Sequence, residues 1–185
     1  MKHMERPPGI APASLQKLSS IFWTEDSLRF SDLDANAHVS NRTFCEILEN
    51  GRMALIRGVV GPMLQAGTRV VIARLTVDFH RQLRFPGHVY CATWISQFGS
   101  SSFNLGQILL DSEGIASSGS GICVISDLES GRAAPIPEDL REFFEEVATP
   151  ELSSLYTRSD GRDYAHQRMP VEPPSSNFDG GTHSR

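Results

Sequence analysis

The sequence predicts a two-layer α+β domain, with one long helix lying on one face of an antiparallel sheet of about five strands. Three observations lead there. A single stretch of helical periodicity, beginning at Arg42 and stopping near Gly58, follows one strand-like segment. Four strand-like segments then come in succession, separated only by short turns, which makes them antiparallel neighbours. With one helix available, its apolar stripe is buried most simply against the sheet. The other sheet face then needs cover, and a second copy of the chain would supply it.

Each element has its own warrant. Residues 1–19 carry Pro7, Pro8 and Pro12 with little periodicity and read as an N-terminal arm. Ser20 to Phe30 is strand-like, and the loop FSDLDANAHVSN follows, dense in Asp, Asn and Ser. In the helix, Phe44, Ile47, Leu48, Leu55 and Ile56 recur at helical offsets, with Glu46, Glu49 and Arg52 between them. Ser40 or Asn41 caps its start, and Gly58 and Gly61-Pro62 mark its stop, giving about four turns. Glu49 and Arg52 stand at i,i+3 and are expected to pair.

Arg69 to Leu83 alternates Val71, Ala73, Leu75, Val77 and Phe79 against Arg74, Thr76, Asp78 and His80 before turning at Phe85-Pro86-Gly87. His88 to Phe98, Phe103 to Leu110 and Ile115 to Asp127 complete the sheet, bounded by Gly99-Ser100, Asp111 to Gly114 and Glu129 to Gly131. Pro137 opens a short helix, Glu138 to Val147. Beyond residue 148 apolar residues thin out while Ser, Pro, Gly and Asp accumulate, so residues 149–185 are expected to form a flexible tail. The domain proper is residues 20–148.

Composition excludes several function classes. The chain has 185 residues, with 17 basic and 22 acidic side chains, a net charge of −5 and 39% hydrophobic residues. That balance, with arginines spread along the whole chain, argues against a nucleic-acid partner, which needs a clustered basic footprint. Three cysteines, Cys45, Cys91 and Cys123, form no CxxC pair and no even set, so neither a disulfide framework nor a zinc ribbon is expected. No run approaches the roughly 20 apolar residues of a membrane span, and Met1 to Pro8 has no apolar leader. The expectation is a cytoplasmic protein in a reducing compartment, with no membrane partner.

The chemistry concentrates before the helix, where Asp32, Asp34, Asn36, His38 and Asn41 crowd together. Turns and helix caps favour these residue types on their own account. Asp32-x-Asp34-x-Asn36 opens like a calcium loop, but Ala37 stands where the sharp turn needs Gly and Thr43 where a bidentate Glu is needed, so no metal is expected. A helix N-terminus, by contrast, exposes unpaired N–H groups that can hold a developing oxyanion. A carboxylate beside it could attack a carbonyl or activate water. The GxSxG, HExxH, GxxxxGK[ST] and GxGxxG signatures are absent.

The run Phe30-x-Asp32-x-Asp34-x-x-x-His38-Val39-x-Asn41-x-x-Phe44-x-x-x-x-Glu49-x-x-Arg52 resembles the aspartate-loop motif of hotdog-fold acyl-CoA thioesterases, the 4-hydroxybenzoyl-CoA thioesterase-like group. The resemblance continues through Val77-Asp78-Phe79-x-Arg81-x-Leu83-x-x-Pro86-Gly87, Phe98 to Phe103 and Gly131-Arg132-x-x-Pro135-Ile136-Pro137, covering about Ile21 to Phe144. It implies a long central helix wrapped by the sheet, and cleavage of an acyl-CoA to carboxylic acid and CoA without a cofactor. It implies Asp34 as the catalytic carboxylate, the Asn41 N–H as the group polarising the carbonyl, and His38 flanking the site. It also implies substrate contacts near Arg81, Arg84, Ser100, Ser101 and Ser102, and sites formed between subunits of a homodimer or homotetramer. Glu49, borne on the helix, is the alternative carboxylate.

The sequence departs from that pattern at Ala37, Ser40 and Phe44, where the group commonly has Gly, Asn and Tyr. A positive φ at Ala37 would be strained. Two further readings follow: a thioesterase acting on acyl or polyketide chains linked to a carrier protein, or a non-catalytic acyl-CoA-binding hotdog protein.

Overall fold

The computed structural model describes Leu15 and residues 20–152. The elements in chain order are β1 (Phe22–Ser27), a 3-10 turn (Phe30–Asp32), α1 (Asn41–Leu55), β2 (Thr68–Phe79), β3 (His88–Phe98), β4 (Ser102–Asp111), β5 (Gly114–Asp127) and α2 (Glu138–Val147). The strands form one antiparallel sheet in the order β1-β3-β4-β5-β2, so β1 and β2 are its edges. The chain thus builds the predicted α+β hotdog arrangement, one helix against one five-stranded sheet.

α1 does not stop at Gly58. It continues through a π-helical turn (Ile56–Val60) and a 3-10 turn (Gly61–Met63), because Val60 is fully buried and pulls the chain back onto the sheet. Its inner stripe, Phe44, Ile47, Leu48, Gly51, Arg52 and Leu55, is buried. The closest approach is at Gly51, where a Cβ would lie 2.6 Å from Cys91 Sγ. Opposite, Gly119 and Gly121 of β5 leave room for Leu48 and Arg52, whose carbons would lie 3.6 and 3.8 Å from added Cβ atoms. Small residues on both layers let helix and sheet meet closely.

Arg52 departs from its expected pairing. It turns inward, and its Nη1 donates to Gln107 Oε1 at 3.0 Å, while Glu49 stays on the exposed side of α1. Adjacency at i,i+3 permits a pair but does not choose between it and the interior.

The face of the sheet away from α1 is partly covered by the chain itself. Trp23, Ala92, Trp94, Ile108 and Leu110 pack there with Leu15 and Leu152, the last two each 1% exposed. The Thr149 N–H donates to Ile95 O at 2.9 Å, so the packed body runs beyond Ala148. The rest of the expected arm and tail lies outside the described residues. β2 is different: on its helix-facing side Ile72, Leu75 and Phe79 remain 50%, 40% and 37% exposed.

β2 also ends earlier than the alternation predicts. The His80 and Arg81 N–H groups both turn to Ala116 O, at 2.9 and 3.2 Å, and take the chain out of the ladder at Phe79. That departure sends residues 80–83 toward the loop before α1.

Candidate functional site

The loop before α1 is held by its own carboxylates. Asp32 Oδ2 accepts the Arg29 N–H at 2.7 Å, and its backbone oxygen accepts the Ser40 N–H at 2.9 Å, so Asp32 fastens both ends of the loop. Asp34 organises the tip: Oδ1 accepts the N–H groups of Asn36 (2.8 Å) and His38 (3.1 Å), and its own N–H donates to His38 O at 2.7 Å. These bonds turn the chain tightly enough to put Ala37 at φ 58°, the strained value that its sequence position suggested.

Two consequences follow for Asp34. The N–H groups of His38 and Asn36 hold its carboxyl below the ordinary value of 3.8, so it is anionic at neutral pH. Both of those backbone bonds fall on Oδ1, so Oδ2 is clear of the loop backbone, with the Asn36 side chain also close to the carboxylate.

Ser40 caps α1: its Oγ accepts the Thr43 N–H at 3.3 Å, and its carbonyl accepts the same N–H at 2.9 Å. Asn41 is therefore the first helical residue, and among the described residues its N–H has no acceptor. That leaves a donor without an acceptor at the positive end of the helix.

Asp34, His38 and Asn41 line one cavity of about 220 Å³ together with Val39, Phe44, Phe79, Arg81 and Gln82. The two phenylalanines meet edge to face with centroids 5.3 Å apart and give it an apolar wall. Gln82 Nε2 reaches His38 Nδ1 at 3.3 Å. Sequence reasoning passed over Gln82, since a lone polar residue after a strand carries no signal until the chain's exit at Phe79 is known.

The other candidates are placed differently. Arg81 faces the cavity, but its guanidinium is engaged with both oxygens of Asp111 and with Gly114 O. Arg84 is exposed on the turn leading to Pro86. Glu49 lies outside the cavity. Ser100, Ser101 and Ser102 follow β3 at its far end. The register puts Phe79 level with Cys91, and Phe98 is seven residues further on, about 20 Å away. One chain does not bring them to Asp34.

A second hollow, of about 520 Å³, lies between β1 and the outer flank of α1, lined by Glu25, Asp26, Asn50, Met53, Ala54, Arg57 and Gly58. It contains none of the candidate site residues named from the sequence.

Comparison with known proteins places this geometry among relatives. The thioesterase-like superfamily profile matches residues 28–144. A predicted thioesterase from Bacillus stearothermophilus is 26% identical, covering 70% of this chain and 97% of its own, with a TM-score of 0.63. A thioesterase from Thermus thermophilus, solved with coenzyme A and zinc, is 28% identical over 68% of this chain and 92% of its own, with a TM-score of 0.58. The DHNA-CoA thioesterase from Staphylococcus aureus shares the fold at 15% identity, covering 73% and 92% with a TM-score of 0.59. No curated protein sequence matches the chain.

Proposed function

The chain belongs to the thioesterase-like superfamily, and on that premise we propose that it hydrolyses acyl-CoA thioesters, with Asp34 as the catalytic carboxylate. Thioester hydrolysis is the reaction class of the family; the acyl-CoA substrate and the residue roles are our reading. One observation carries it. An ionised carboxylate with one oxygen clear of the loop backbone and a backbone N–H with no acceptor among the described residues line the same cavity.

Asp34 Oδ2 takes a proton from water as the water oxygen bonds to the thioester carbon. The Asn41 N–H receives the carbonyl oxygen as it gains negative charge. When the C–S bond breaks, its electron pair leaves with sulfur, and the thiolate recovers the proton from Asp34. The products are a carboxylic acid and CoA thiol, and the scheme needs no cofactor. His38 flanks the reacting centre.

The departures at Ala37 and Ser40 are compatible with this reading. Ala37 adopts the turn in spite of its methyl, and Ser40 caps the helix through its hydroxyl. A coenzyme A complex in the Thermus thermophilus thioesterase favours CoA over a carrier protein as the thiol partner.

The edge strand β2 presents Ile72, Leu75 and Phe79, the last of which also lines the cavity, and this favours a homodimer formed along that edge. Serines 100–102 would then reach the site from the second subunit. Among the described residues no helix is long and apolar enough to cross a membrane, and the described cysteines are free, which suits a reducing, cytoplasmic setting.

The test is turnover of a panel of acyl-CoAs followed with a thiol reagent. Asp34→Asn should lower kcat by about 10²- to 10⁴-fold. Full activity in that variant would sink the mechanism. Acyl-CoA binding without turnover in the wild type would instead establish a carrier, and turnover confined to carrier-linked substrates would move the substrate class.

A further inference from the structure

We propose that Gln82 is a positioning residue that selects the tautomer of the His38 ring, placing its proton on Nε2, and so reserves the proton-accepting role for Asp34. The link to catalysis rests on the thioesterase reading above; the link between the two side chains does not.

Both partners extend as exposed side chains from anchored backbone. Gln82 stands between Arg81, tied to Asp111, and Leu83, which is 2% exposed. Its carbonyl also accepts from Arg81 Nη1 at 3.1 Å. His38 is held by two backbone bonds to Asp34, one donated and one accepted. The side chains therefore meet across two anchored segments 44 residues apart, with Gln82 Nε2 at 3.3 Å from His38 Nδ1.

The chemistry of that contact has a direction. An amide nitrogen only donates, so Nδ1 must present its lone pair, and the neutral ring carries its proton on Nε2. A ring in that form has no acceptor left. It cannot take a proton from water, whereas Asp34 Oδ2 can. His38 becomes a second donor into the cavity, complementary to the carbonyl oxygen or departing sulfur of a thioester. With the proton on Nδ1 instead, Nε2 would accept, and His38 would compete with Asp34 as the base.

Long-range ¹H–¹⁵N correlation spectra of the ¹⁵N-labelled full chain at pH 8 read the tautomer directly. The wild type should show His38 protonated on Nε2. In Gln82→Glu the carboxylate accepts instead of donating, so the Nδ1-protonated form should dominate; Gln82→Leu should give a mixture of both. On a turned-over acyl-CoA, Gln82→Glu should lower kcat about 10- to 100-fold with KM within about twofold, and Gln82→Leu less. An Nδ1-protonated wild type, or a Gln82→Glu spectrum identical to wild type, overturns the proposal. A tautomer switch with unchanged kcat overturns its catalytic half. Because the spectra need no turnover, a wild type inert on every thioester refutes the hydrolase reading while the Gln82–His38 link stands.

Discussion

The start of α1 and its middle both carry polar side chains, and they spend their hydrogen bonds in opposite ways. Beneath the middle, Gln107 donates through Nε2 to Leu48 O (2.8 Å) and Thr93 Oγ1 (3.0 Å), and its Oε1 accepts from Arg52. Gln107 and Thr93 are fully buried, and burial pushes the neighbouring Cys91 thiol up to about 11. At the start, Asp34 keeps Oδ2 clear of the loop backbone, the Asn41 N–H has no acceptor among the described residues, and both line an open cavity. Polar groups that satisfy one another inside fix the helix on the sheet. Groups held rigid by backbone but left unsatisfied are available for a substrate.

The sharpest way to break this contrast is to change each region and read both activity and stability. Asp34→Asn should cost about 10²- to 10⁴-fold in kcat with Tm unmoved within about 2 °C, because the amide oxygen can still accept from Asn36 and His38. The pH profile adds a sign. Because the folded carboxyl is held below 3.8, the acid limb of kcat/KM should fall below that value and be absent from any residual Asp34→Asn activity. The same shift contributes stability that is present above the unfolded-state value and lost as pH falls through the folded one.

Gln107→Leu should do the reverse. It leaves a buried guanidinium and the Leu48 carbonyl without a side-chain partner, which costs about 3 kcal/mol in chemical denaturation. Turnover per folded molecule should stay near wild type, since the cavity contains neither group. A large loss of turnover per folded molecule would mean that the two regions are coupled.

Gly51→Ala probes the same sealed region more gently. An added methyl would meet Cys91 Sγ at 2.6 Å and Thr93 Oγ1 at 3.1 Å. The helix must lift or the thiol rotate, at about 1–3 kcal/mol. Urea unfolding checks it, and a variant as stable as wild type would show that helix and sheet are less tightly joined than these distances require.

The two regions were also unequally legible in the sequence. The turn signals at Phe85-Pro86-Gly87 and Gly99-Ser100 placed β3 at His88 to Phe98, the bounds observed, because both turns sit where the chain leaves the ladder. The crowding of Asp, Asn and His before a helix pointed to Asp34, and the structure brings Asp34, His38 and Asn41 to one cavity. The sealed cluster was not readable. Arg52 looked like the exposed partner of Glu49, since helical spacing reports adjacency along the surface and not which way a long side chain turns. Gln107 sits in a strand where one polar residue among Leu105, Ile108 and Leu109 gives no hint that α1 depends on it. Leu15 and Leu152 lie in polar, Pro-rich surroundings, and only the uncovered Trp23 and Trp94 surface explains why each is buried. What depends on a partner far along the chain leaves no local trace.

The smallest predicted effect inverts the test at Gly51. Ala37 holds φ 58°, a backbone region where an L side chain crowds the following carbonyl and costs about 1 kcal/mol. Ala37→Gly removes that crowding and adds freedom to the unfolded chain, two terms of similar size and opposite sign. The strain should outweigh the entropy, giving a gain of about 0.5 kcal/mol and a Tm higher by about 1–2 °C. Activity should change less than about threefold, because the bonds that orient Asp34 Oδ1 come from Asn36 and His38, not from Ala37. One methyl added in the sealed region then destabilises, and one methyl removed in the open region stabilises. Lost stability in Ala37→Gly would mean that the loop is not strained, and that its tight turn around Asp34 is its own preferred shape rather than a conformation imposed by the two segments it joins.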